Sequence, residues 1–515
     1  MRAKKINADL NSWDHYSPIR HYFGILYCEI LNGEVLRVKL MVFGTGRFYL
    51  KRKNYIEMYN TCDEIIGFVD NRANDIQSFE NKPVYLPEEI IGKEWDAIVI
   101  MSISYLEMRS QLLSLGVPIY KIMCWEAYYA RLCGSKTTNF ISSNKKEYFK
   151  LKVLLVAIPL GLDGSSMAIY YTAIELSLRG YAVTMLVPDC DEYLKDKLLS
   201  CGVNVRINRA LCFLLEEQYK AFCDFDVVIV NVYSNIRVAC ELSNYLPTLW
   251  WLHEYGKKFD EIYTRIQAIF YEYGSKEQFS KMRIAAVSNW AAEVFQYYHS
   301  YQVDAIMPLG IPDNYISKNT CYTENKVSFA VIGGLRELKG QDVLVDAFSI
   351  LPDTVKNKTT CYIIGACDEK NRFTDEIKEK VDKLPSVVLT GILHRESLKK
   401  KIDEVDVIVC SSREETLSIA IIEGMMNGKI CITTDATGVA EYIEDGVSGF
   451  IVESDNVISL AEKMMYVIQN ISHLDNMRQA ARDVYEKYFS MKVFGDRLER
   501  EIYRTIDEHK FRRNI

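Results

Sequence analysis

Short apolar runs, each followed by a glycine-containing turn, recur along this chain. Val38–Phe43, Leu151–Ile158 and Lys326–Ile332 are three of them, and more apolar runs follow each after stretches with helical periodicity. This alternation is the pattern of βαβ units, in which helices bury both faces of a parallel sheet. The sequence therefore predicts an α/β chain with three doubly wound, Rossmann-like units.

The 515 residues are enough for about three domains. We expect a first unit over residues 1–135, a polar linker over 136–150, a second unit over 151–316 and a third unit over 317–490. Residues 491–515 have an amphipathic pattern and predict a terminal helix.

Composition excludes several classes of protein. A net charge of −7 argues against a nucleic-acid partner, which would need a basic footprint. Fourteen cysteines without a C-x-x-C motif indicate neither a zinc array nor a disulfide scaffold, so we expect reduced thiols in the cytoplasm. The sequence shows no signal-peptide pattern and no apolar run long enough to span a membrane. Peripheral contact with the inner face of the cell membrane and oligomerisation stay open.

Two glutamates, Glu415 and Glu423, lie eight positions apart. Glu415 lies in a polar loop after the apolar run Val405–Cys410, at the sheet edge where open α/β folds bind ligands. A helix starting near Leu417 or Ser418 would offer N–H groups and a positive dipole end to a pyrophosphate. Carboxylates accept several hydrogen bonds and suit sugar and ribose hydroxyls. Two solvated glutamates beside a structural helix would show the same spacing.

With Ser412, Gly424 and Glu441, this strand–loop–helix–strand segment resembles the C-terminal lobe of GT-B glycosyltransferases. More narrowly, it resembles the retaining enzymes of glycosyltransferase family four, which carry Glu-x7-Glu in the nucleotide-sugar site. The resemblance covers about residues 151–510. It implies two facing lobes, with the acceptor on the second unit, the donor mainly on the third, and the terminal helix crossing back to the second.

The resemblance also implies roles for the residues of the donor site. Glu423 would bind the ribose, and Glu415 would bind the sugar and diphosphate together with the backbone amides of the following residues, Thr416, Leu417 and Ser418. The role of Glu441 stays undefined.

The segment after Lys326–Ile332 resembles the family's G-R-L-x-x-x-K-G motif. Lys339 matches the lysine, which would neutralise the diphosphate. Gly334 occupies the arginine position, and Arg336, two residues later, is the candidate to compensate. A surface lysine in a loop before a helix is the alternative for Lys339.

Two positions of the second unit complete the predicted site. Gly164, in the turn after the first strand, would let backbone approach a phosphate or sugar. His253 follows the apolar run Thr248–Leu252, and a neutral imidazole there would hydrogen-bond a sugar hydroxyl. Ser288-Asn289 resembles the family's small polar step at an equivalent strand end. An ordinary βα turn and a structural histidine are the alternatives.

The first unit resembles half of a dinucleotide fold. Gly44, Gly46 and Asp70 are its candidate nucleotide residues, but Tyr49 stands at the third glycine position of G-x-G-x-x-G. The unit is also similar to Rossmann-like accessory modules of capsule and O-antigen sugar-modifying proteins, which bind nucleotide-sugars or only mediate assembly.

Metal binding is not expected. The strings Asp189-Cys-Asp191 and Asp224-Phe-Asp226 are of the type that holds a divalent ion in GT-A enzymes, but chance hits are common and we interpret both as structural. No cofactor besides the donor is predicted.

The resemblance implies a retaining, metal-independent glycosyltransferase with His253, Glu415 and Lys339 as catalytic residues. It would move a sugar from a nucleotide-diphosphate sugar to a glycan, lipid-linked or protein acceptor, in bacterial surface polysaccharide or glycoprotein glycan synthesis. The leaving phosphate would take the acceptor's proton. One alternative is a non-catalytic nucleotide-sugar-binding or scaffold protein of a glycan assembly system, which Gly334 favours. Another is a pyridoxal-phosphate-dependent phosphorylase, which shares the GT-B outline.

Overall fold

The described part of the chain forms three separate, mostly parallel sheets. The computed structural model describes residues 38–513 apart from 61–62, 103, 134–138, 143–149, 162, 215, 255, 271, 314, 316–325 and 368–371. Its sheets have 6, 8 and 6 strands in chain order. The prediction of three α/β units is therefore confirmed.

The first sheet contains the strands Lys39–Phe43 (β1), Glu64–Val69 (β2), Ser78–Phe79 (β3), Lys82–Tyr85 (β4), Ala97–Ile100 (β5) and Ile122–Cys124 (β6). Its order is β3-β4-β2-β1-β5-β6, and only β3 runs antiparallel to its neighbour. The helices of this unit are Arg47–Leu50 (α1), Lys53–Tyr59 (α2), Tyr105–Ser114 (α3) and Trp125–Cys133 (α4).

The second sheet contains Asn139–Ile141 (β7), Lys152–Val156 (β8), Ala182–Val187 (β9), Asn204–Ile207 (β10), Val227–Asn231 (β11), Thr248–Leu252 (β12), Arg283–Ala286 (β13) and Ala305–Ile306 (β14). Its order is β14-β13-β12-β11-β8-β9-β10-β7. Its helices are Gly164–Leu178 (α5), Glu192–Ser200 (α6), Glu216–Tyr219 (α7), Ile236–Ser243 (α8), Gly256–Ile269 (α9), Lys276–Phe279 (α10) and Asn289–His299 (α11). The central strands β11 and β12 are wholly buried, as continuous apolar runs in a helix-covered parallel sheet require.

Part of the predicted linker belongs to this second sheet. Strand β7 lies within residues 136–150 and pairs antiparallel with β10, placing Val205 opposite Ile141. The polar composition of this segment suits an edge strand, which has only one neighbour and one row of backbone groups facing solvent. A linker interpretation based on polarity alone cannot detect such pairing.

The third sheet contains Val327–Ile332 (β15), Thr359–Ile364 (β16), Val387–Gly391 (β17), Val407–Cys410 (β18), Ile430–Thr434 (β19) and Phe450–Val452 (β20). All its pairs are parallel, in the order β17-β16-β15-β18-β19-β20. The helices from here to the end are Gln341–Ser349 (α12), Asp353–Lys356 (α13), Arg372–Val381 (α14), Arg395–Glu404 (α15), Ile419–Met426 (α16), Val457–Asn470 (α17), Asp475–Val484 (α18) and Met491–Arg513 (α19).

The terminal helix α19 packs against the second unit. Arg283 of β13 donates from Nε to Glu501 Oε2 at 2.8 Å. Phe494 stacks on Trp251 of β12 with ring centroids 5.8 Å apart. Because Trp251 lies two residues before His253, the helix supports the strand that leads to the predicted site.

The first unit contacts the second through helix α9. Arg109 Nη1 donates to the carbonyl of Ala268 at 2.8 Å, and Arg265 forms an ion pair with Glu126. Within the described part of the chain, each helix is too short or too polar to cross a lipid bilayer.

Candidate functional site

A lysine–glutamate ion pair lies at the carboxyl edge of the third sheet. Lys339 follows β15 and donates from Nζ to Oε1 of Glu415, which follows β18, at 2.6 Å. The loop after β15 and the loop after β18 contact each other closely at Gly340. Its φ is +60°, and a Cβ there would lie 1.9 Å from the carbonyl oxygen of Ser411. Only glycine fits this approach, which brings the lysine to the carboxylate.

The second oxygen of Glu415 is also engaged. Ser412 Oγ donates to Oε2 at 2.9 Å. Cys410 Sγ lies 3.1 Å from the same oxygen and 3.3 Å from Ser412 Oγ, so its single S–H proton serves one of them. Cys410 was not a sequence candidate, and nothing in its apolar strand distinguishes it from a core residue.

These partners keep Glu415 ionised. Burial alone would raise the pKa of this carboxyl, but Lys339 and the hydrogen bonds from Cys410 and Ser412 hold the pKa below its usual range. Burial opposes the charge of Lys339 as well, yet Glu415 raises the pKa of the ammonium group. The pair is therefore charged throughout the neutral range.

Glu423 lies in a different environment, on the inward face of α16. It borders a recess of about 90 Å³ together with Arg395, Lys399 and Asn427. Burial raises the pKa of Glu423 to about 7, and the nearby charge of Arg395 opposes that rise. Glu423 is therefore only partly ionised at neutral pH.

The start of α16 touches the second unit. Ser418 caps the helix by accepting from the N–H of Ile421, and the preceding residue, Leu417, is buried. Thr416 Oγ1 donates to the carbonyl of His253 at 2.8 Å. Predicted residues of both units therefore meet at one inter-lobe contact. The first N–H groups of the helix have no partner within it and can bind an anion.

His253 lies at this contact as a neutral imidazole. Its ring packs edge-on against Trp251 with centroids 4.4 Å apart, and burial lowers its pKa to about 3. Among the described residues, no group forms a hydrogen bond with its buried Nε2 atom. The uncharged ring can therefore form a hydrogen bond with a ligand, but it carries no positive charge near pH 7.

Gly164 begins helix α5 opposite α16. A Cβ at Gly164 would lie 3.4 Å from Ile419 Cδ1 of the third unit. Asp163 caps α5 and accepts from the N–H groups of Ser165 and Ser166, both at 3.1 Å. Asp163 is a residue that the sequence interpretation missed, although an aspartate directly before a helix is a readable capping signal.

A strained residue supports the same edge of the second sheet. Val232 follows β11 with a φ of +64°, which is rare for a β-branched residue. The next residue is held in place because both carboxylate oxygens of Glu254 accept from the N–H of Tyr233, at 2.8 and 3.0 Å. The loops after β11 and β12 are therefore tied together.

A further inter-lobe contact lies after β13. Asn289 Nδ2 donates to Glu441 Oε2 at 2.8 Å, and Ser288 caps α11. A Cβ at Gly438 would lie 2.0 Å from the carbonyl oxygen of Thr416 and 2.9 Å from Ser288 Cβ. In this structure Glu441 thus contributes to the junction of the two units.

The two remaining donor-site candidates lie in the loop after β15. Arg336 is exposed, and its positive charge opposes protonation of Lys339. A Cβ at Gly334 would make only ordinary contacts, the nearest at 3.7 Å from the carbonyl oxygen of Ala366. Packing therefore does not require a glycine at the family's arginine position.

In the first unit, the structure brings Gly44, Gly46 and Asp70 together at one sheet edge. Both oxygens of Asp70 already accept from the protein, Oδ2 from Thr45 Oγ1 at 2.7 Å and Oδ1 from the N–H of Arg72 at 3.0 Å. Gly44 has a φ of +115°, whereas a Cβ at Gly46 would meet nothing within 4 Å. Through these hydrogen bonds Asp70 stabilises the turns that follow β1 and β2.

The Asp-x-Asp strings have structural partners. Asp191 caps α6 by accepting from the N–H of Leu194, and Asp226 accepts from the N–H of Lys152. Over the described ranges, no three His, Cys, Asp or Glu side chains are grouped so that they could share a metal ion.

Two protein families match separate parts of the chain. Residues 315–484 match the family described as Glycosyl transferases group 1, so the third unit carries a glycosyl transferase domain of that group. Residues 36–123 match the family described as C2185-like, N-terminal.

Curated relatives are similar over part of the chain. An uncharacterized glycosyltransferase of Methanocaldococcus jannaschii is 26% identical over 184 residues, which are 34% of this chain and 48% of that protein. The capsular polysaccharide biosynthesis glycosyltransferase CapM of Staphylococcus aureus is 26% identical over 174 residues, which are 34% of this chain and 45% of CapM. The chain thus spans less than half of the length of these relatives.

Solved structures show the fold. Anabaena Alr3699/HepE, determined in complex with UDP, superimposes with a TM-score of 0.57 at 16% identity, covering 68% of this chain and 100% of that chain. The chain therefore contains the GT-B fold.

Proposed function

We propose that this protein is a retaining, metal-independent glycosyltransferase of bacterial surface polysaccharide or glycoprotein glycan synthesis. It moves a sugar from a nucleotide-diphosphate sugar to a glycan, lipid-linked or protein acceptor, in the cytoplasm or at the inner face of the membrane. The observation that carries the proposal is the Lys339–Glu415 pair, which lies just before the start of α16. The next residue, Thr416, donates to the carbonyl of His253 in the opposite unit.

In this mechanism, positive charge stabilises the leaving diphosphate. Lys339, Arg336 and the N–H groups at the start of α16 face the phosphates, and a lysine acts there as a point charge. Glu415 holds Lys339 in place and accepts from the sugar. Stabilising the charge that develops on the leaving group is the main source of rate enhancement in such a site.

No protein base is needed in this scheme. His253 is neutral and its buried Nε2 atom has no partner among the described residues, so its role is to hydrogen-bond a hydroxyl of the reacting sugar. The acceptor attacks on the face that the diphosphate leaves, and the phosphate oxygen takes the acceptor's proton. Glu423 accepts from the ribose hydroxyls, which bind an ionised carboxylate more strongly than a protonated one.

A uridine nucleotide is the first donor to test. Anabaena HepE binds UDP, and CapM acts in capsular polysaccharide biosynthesis. Thermal unfolding should be measured with UDP-, GDP-, ADP- and dTDP-sugars, with Glu423→Ala in parallel. We expect a selective rise in the unfolding midpoint with one base, and its loss in the variant, because a ligand stabilises the state that it binds. Equal shifts in wild type and variant would contradict the proposed donor position.

The second candidate is a scaffold protein that has lost transfer activity. Gly334 favours it, because the phosphate site then lacks one of the two cations in the family motif. Under that hypothesis a nucleotide-sugar still binds, but no nucleoside diphosphate is released from it.

Replacing Gly334 by arginine should tighten nucleotide binding. The new side chain has room at its Cβ, and one more cation beside a diphosphate should raise the affinity about threefold to tenfold. Calorimetric titration with the nucleoside diphosphate measures this. Gly334→Ala is the control and should bind like the wild type. Unchanged or weaker binding by the arginine variant would mean that the phosphates lie elsewhere.

Removing the Cys410 thiol should weaken the site without disturbing the fold. Cys410→Ala takes one donor from Glu415 and should slow donor turnover about fivefold, because one hydrogen bond to a charged group contributes about 1 kcal/mol or more. Cys410→Ser retains a donor and should recover most of the activity. Cys361→Ala removes another buried thiol of the same sheet and should leave turnover unchanged. Equal loss in both alanine variants would assign the effect to packing.

A further inference from the structure

Arg395 links the recess beside Glu423 to a side chain of the second unit. Arg395, the first residue of α15, donates to the hydroxyl of Tyr171 in α5 of the second unit. Its guanidinium lies 5.5 Å from the centroid of the Tyr171 ring. Glu423 on α16 borders the same recess as Arg395. These three residues, called here the charge cluster, span the boundary between the lobes.

Tyr171 and Arg395 differ in their exposure to solvent. Tyr171 is buried, whereas Arg395 is exposed. The charge of Arg395 favours ionisation of Glu423 and opposes the effect of its burial. Because solvent screens an exposed cation, the influence of Arg395 depends on where its guanidinium is held. Tyr171 provides that fixed position.

Other charged groups around Glu423 are accounted for. Glu396 and Lys399 of α15 line the recess with opposite charges. Tyr170 lies beside Tyr171 with ring centroids 5.6 Å apart. On the α18 side, Arg482 binds the carbonyl of Met426 and pairs with Asp313. Loss of the positive charge of Arg395 would therefore change the pKa of Glu423.

We propose that Arg395, held by Tyr171 of the opposite lobe, is a positioning residue that prepares Glu423 for the ribose of the donor. Nucleotide binding then depends on a contact between the lobes, because separation of the lobes removes Tyr171 from Arg395. This inference rests on the proposed function, in which Glu423 binds the ribose.

The charge cluster makes a prediction about stability that needs no ligand. The pKa of Glu423 is about 7 in the folded protein, above the ordinary value of 4.5. Protonated Glu423 contributes to the free energy of unfolding. This contribution is fully present when the pH is below the ordinary pKa and is lost as the pH rises through about 7. Without Arg395 this pKa moves higher, so ionisation of Glu423 at alkaline pH costs more.

The first experiment compares unfolding midpoints at about pH 5.5 and about pH 8.5. Arg395→Gln should lower the midpoint more at the higher pH, and Tyr171→Phe should do the same to a smaller degree. The pH-dependent part should vanish when Glu423→Gln is combined with Arg395→Gln. Tyr170→Phe is the matched control and should show no pH-dependent change. Equal losses at both pH values, or a pH dependence that survives in the double variant, would overturn the inference.

The second experiment measures nucleotide affinity by calorimetry, with UDP first and GDP, ADP and dTDP in parallel. At pH 7, Arg395→Gln should bind about fivefold more weakly, and at about pH 8.5 most of the loss should be recovered, since a pKa shift of one unit changes the ionised fraction up to tenfold. A loss that is the same at both pH values contradicts the positioning role. If the wild type binds none of the four nucleotides, both the proposed function and this inference fail. If it binds one and the variants do not alter the pH profile, the inference alone fails.

Discussion

Replacing Lys339 by methionine should lower the release of nucleoside diphosphate from the donor about 100-fold or more, because one preorganised group at a developing charge contributes on that scale. The substitution removes the cation that lies 2.6 Å from Glu415 and faces the proposed phosphate position. It also leaves the carboxylate without its ammonium partner, so the pKa of Glu415 rises. The residual activity should therefore fall with decreasing pH in a range where the wild type is constant.

Two variants separate charge from packing at this position. Lys339→Arg keeps the charge and should retain more activity than the methionine variant. Lys401→Met removes a lysine that pairs with Glu404 on the surface of the same unit, and should change the rate by less than about twofold. A methionine variant at position 339 with nearly wild-type turnover would exclude the lysine from the reaction.

Breaking the ion pair that docks the terminal helix should have the largest effect on stability. Arg283 and Glu501 are 8% and 3% exposed at their side chains, and the pair joins β13 to α19. Removing one partner of a buried pair leaves an uncompensated charge, so Arg283→Met should lower the free energy of unfolding by about 3 kcal/mol. Arg500 and Arg504 contact Glu501 from exposed positions and keep the loss from being larger.

The thermal unfolding midpoint measures this loss, with an expected decrease of about 6 °C or more. Arg372→Met is the control. Its pair with Glu376 is 93% and 52% exposed, lies away from the terminal helix and should contribute less than about 1 kcal/mol. Equal midpoints for Arg283→Met and Arg372→Met would show that the helix is held by apolar contacts such as Phe494 on Trp251.

The strands were readable from the sequence where both faces of a sheet are buried. The predicted apolar run Thr248–Leu252 forms a strand with the same bounds, because a doubly covered parallel strand is a continuous apolar run. Strands at the sheet edges were not readable. Asn139–Ile141 is short, lies within a polar segment and joins its sheet only by pairing with a strand more than sixty residues later.

The candidate site was readable in part for a similar reason. Glu415 and Lys339 follow β18 and β15, which are neighbours in the sheet, so their proximity follows from the sheet topology. The partners that set their chemistry do not follow from it. Cys410 looks like any apolar strand residue, and Tyr171 is separated from Arg395 by 224 positions. Only three-dimensional packing brings those groups together.

The central claim is that a nucleotide-sugar binds to the third unit. A crystal structure of the protein with the nucleoside diphosphate that gives the largest thermal shift tests it most directly. Its phosphates should lie within hydrogen-bond distance of Lys339 and the start of α16, with the ribose on Glu423. A nucleotide bound against Gly44, Gly46 and Asp70 of the first unit, with no nucleotide beside Lys339, would contradict it.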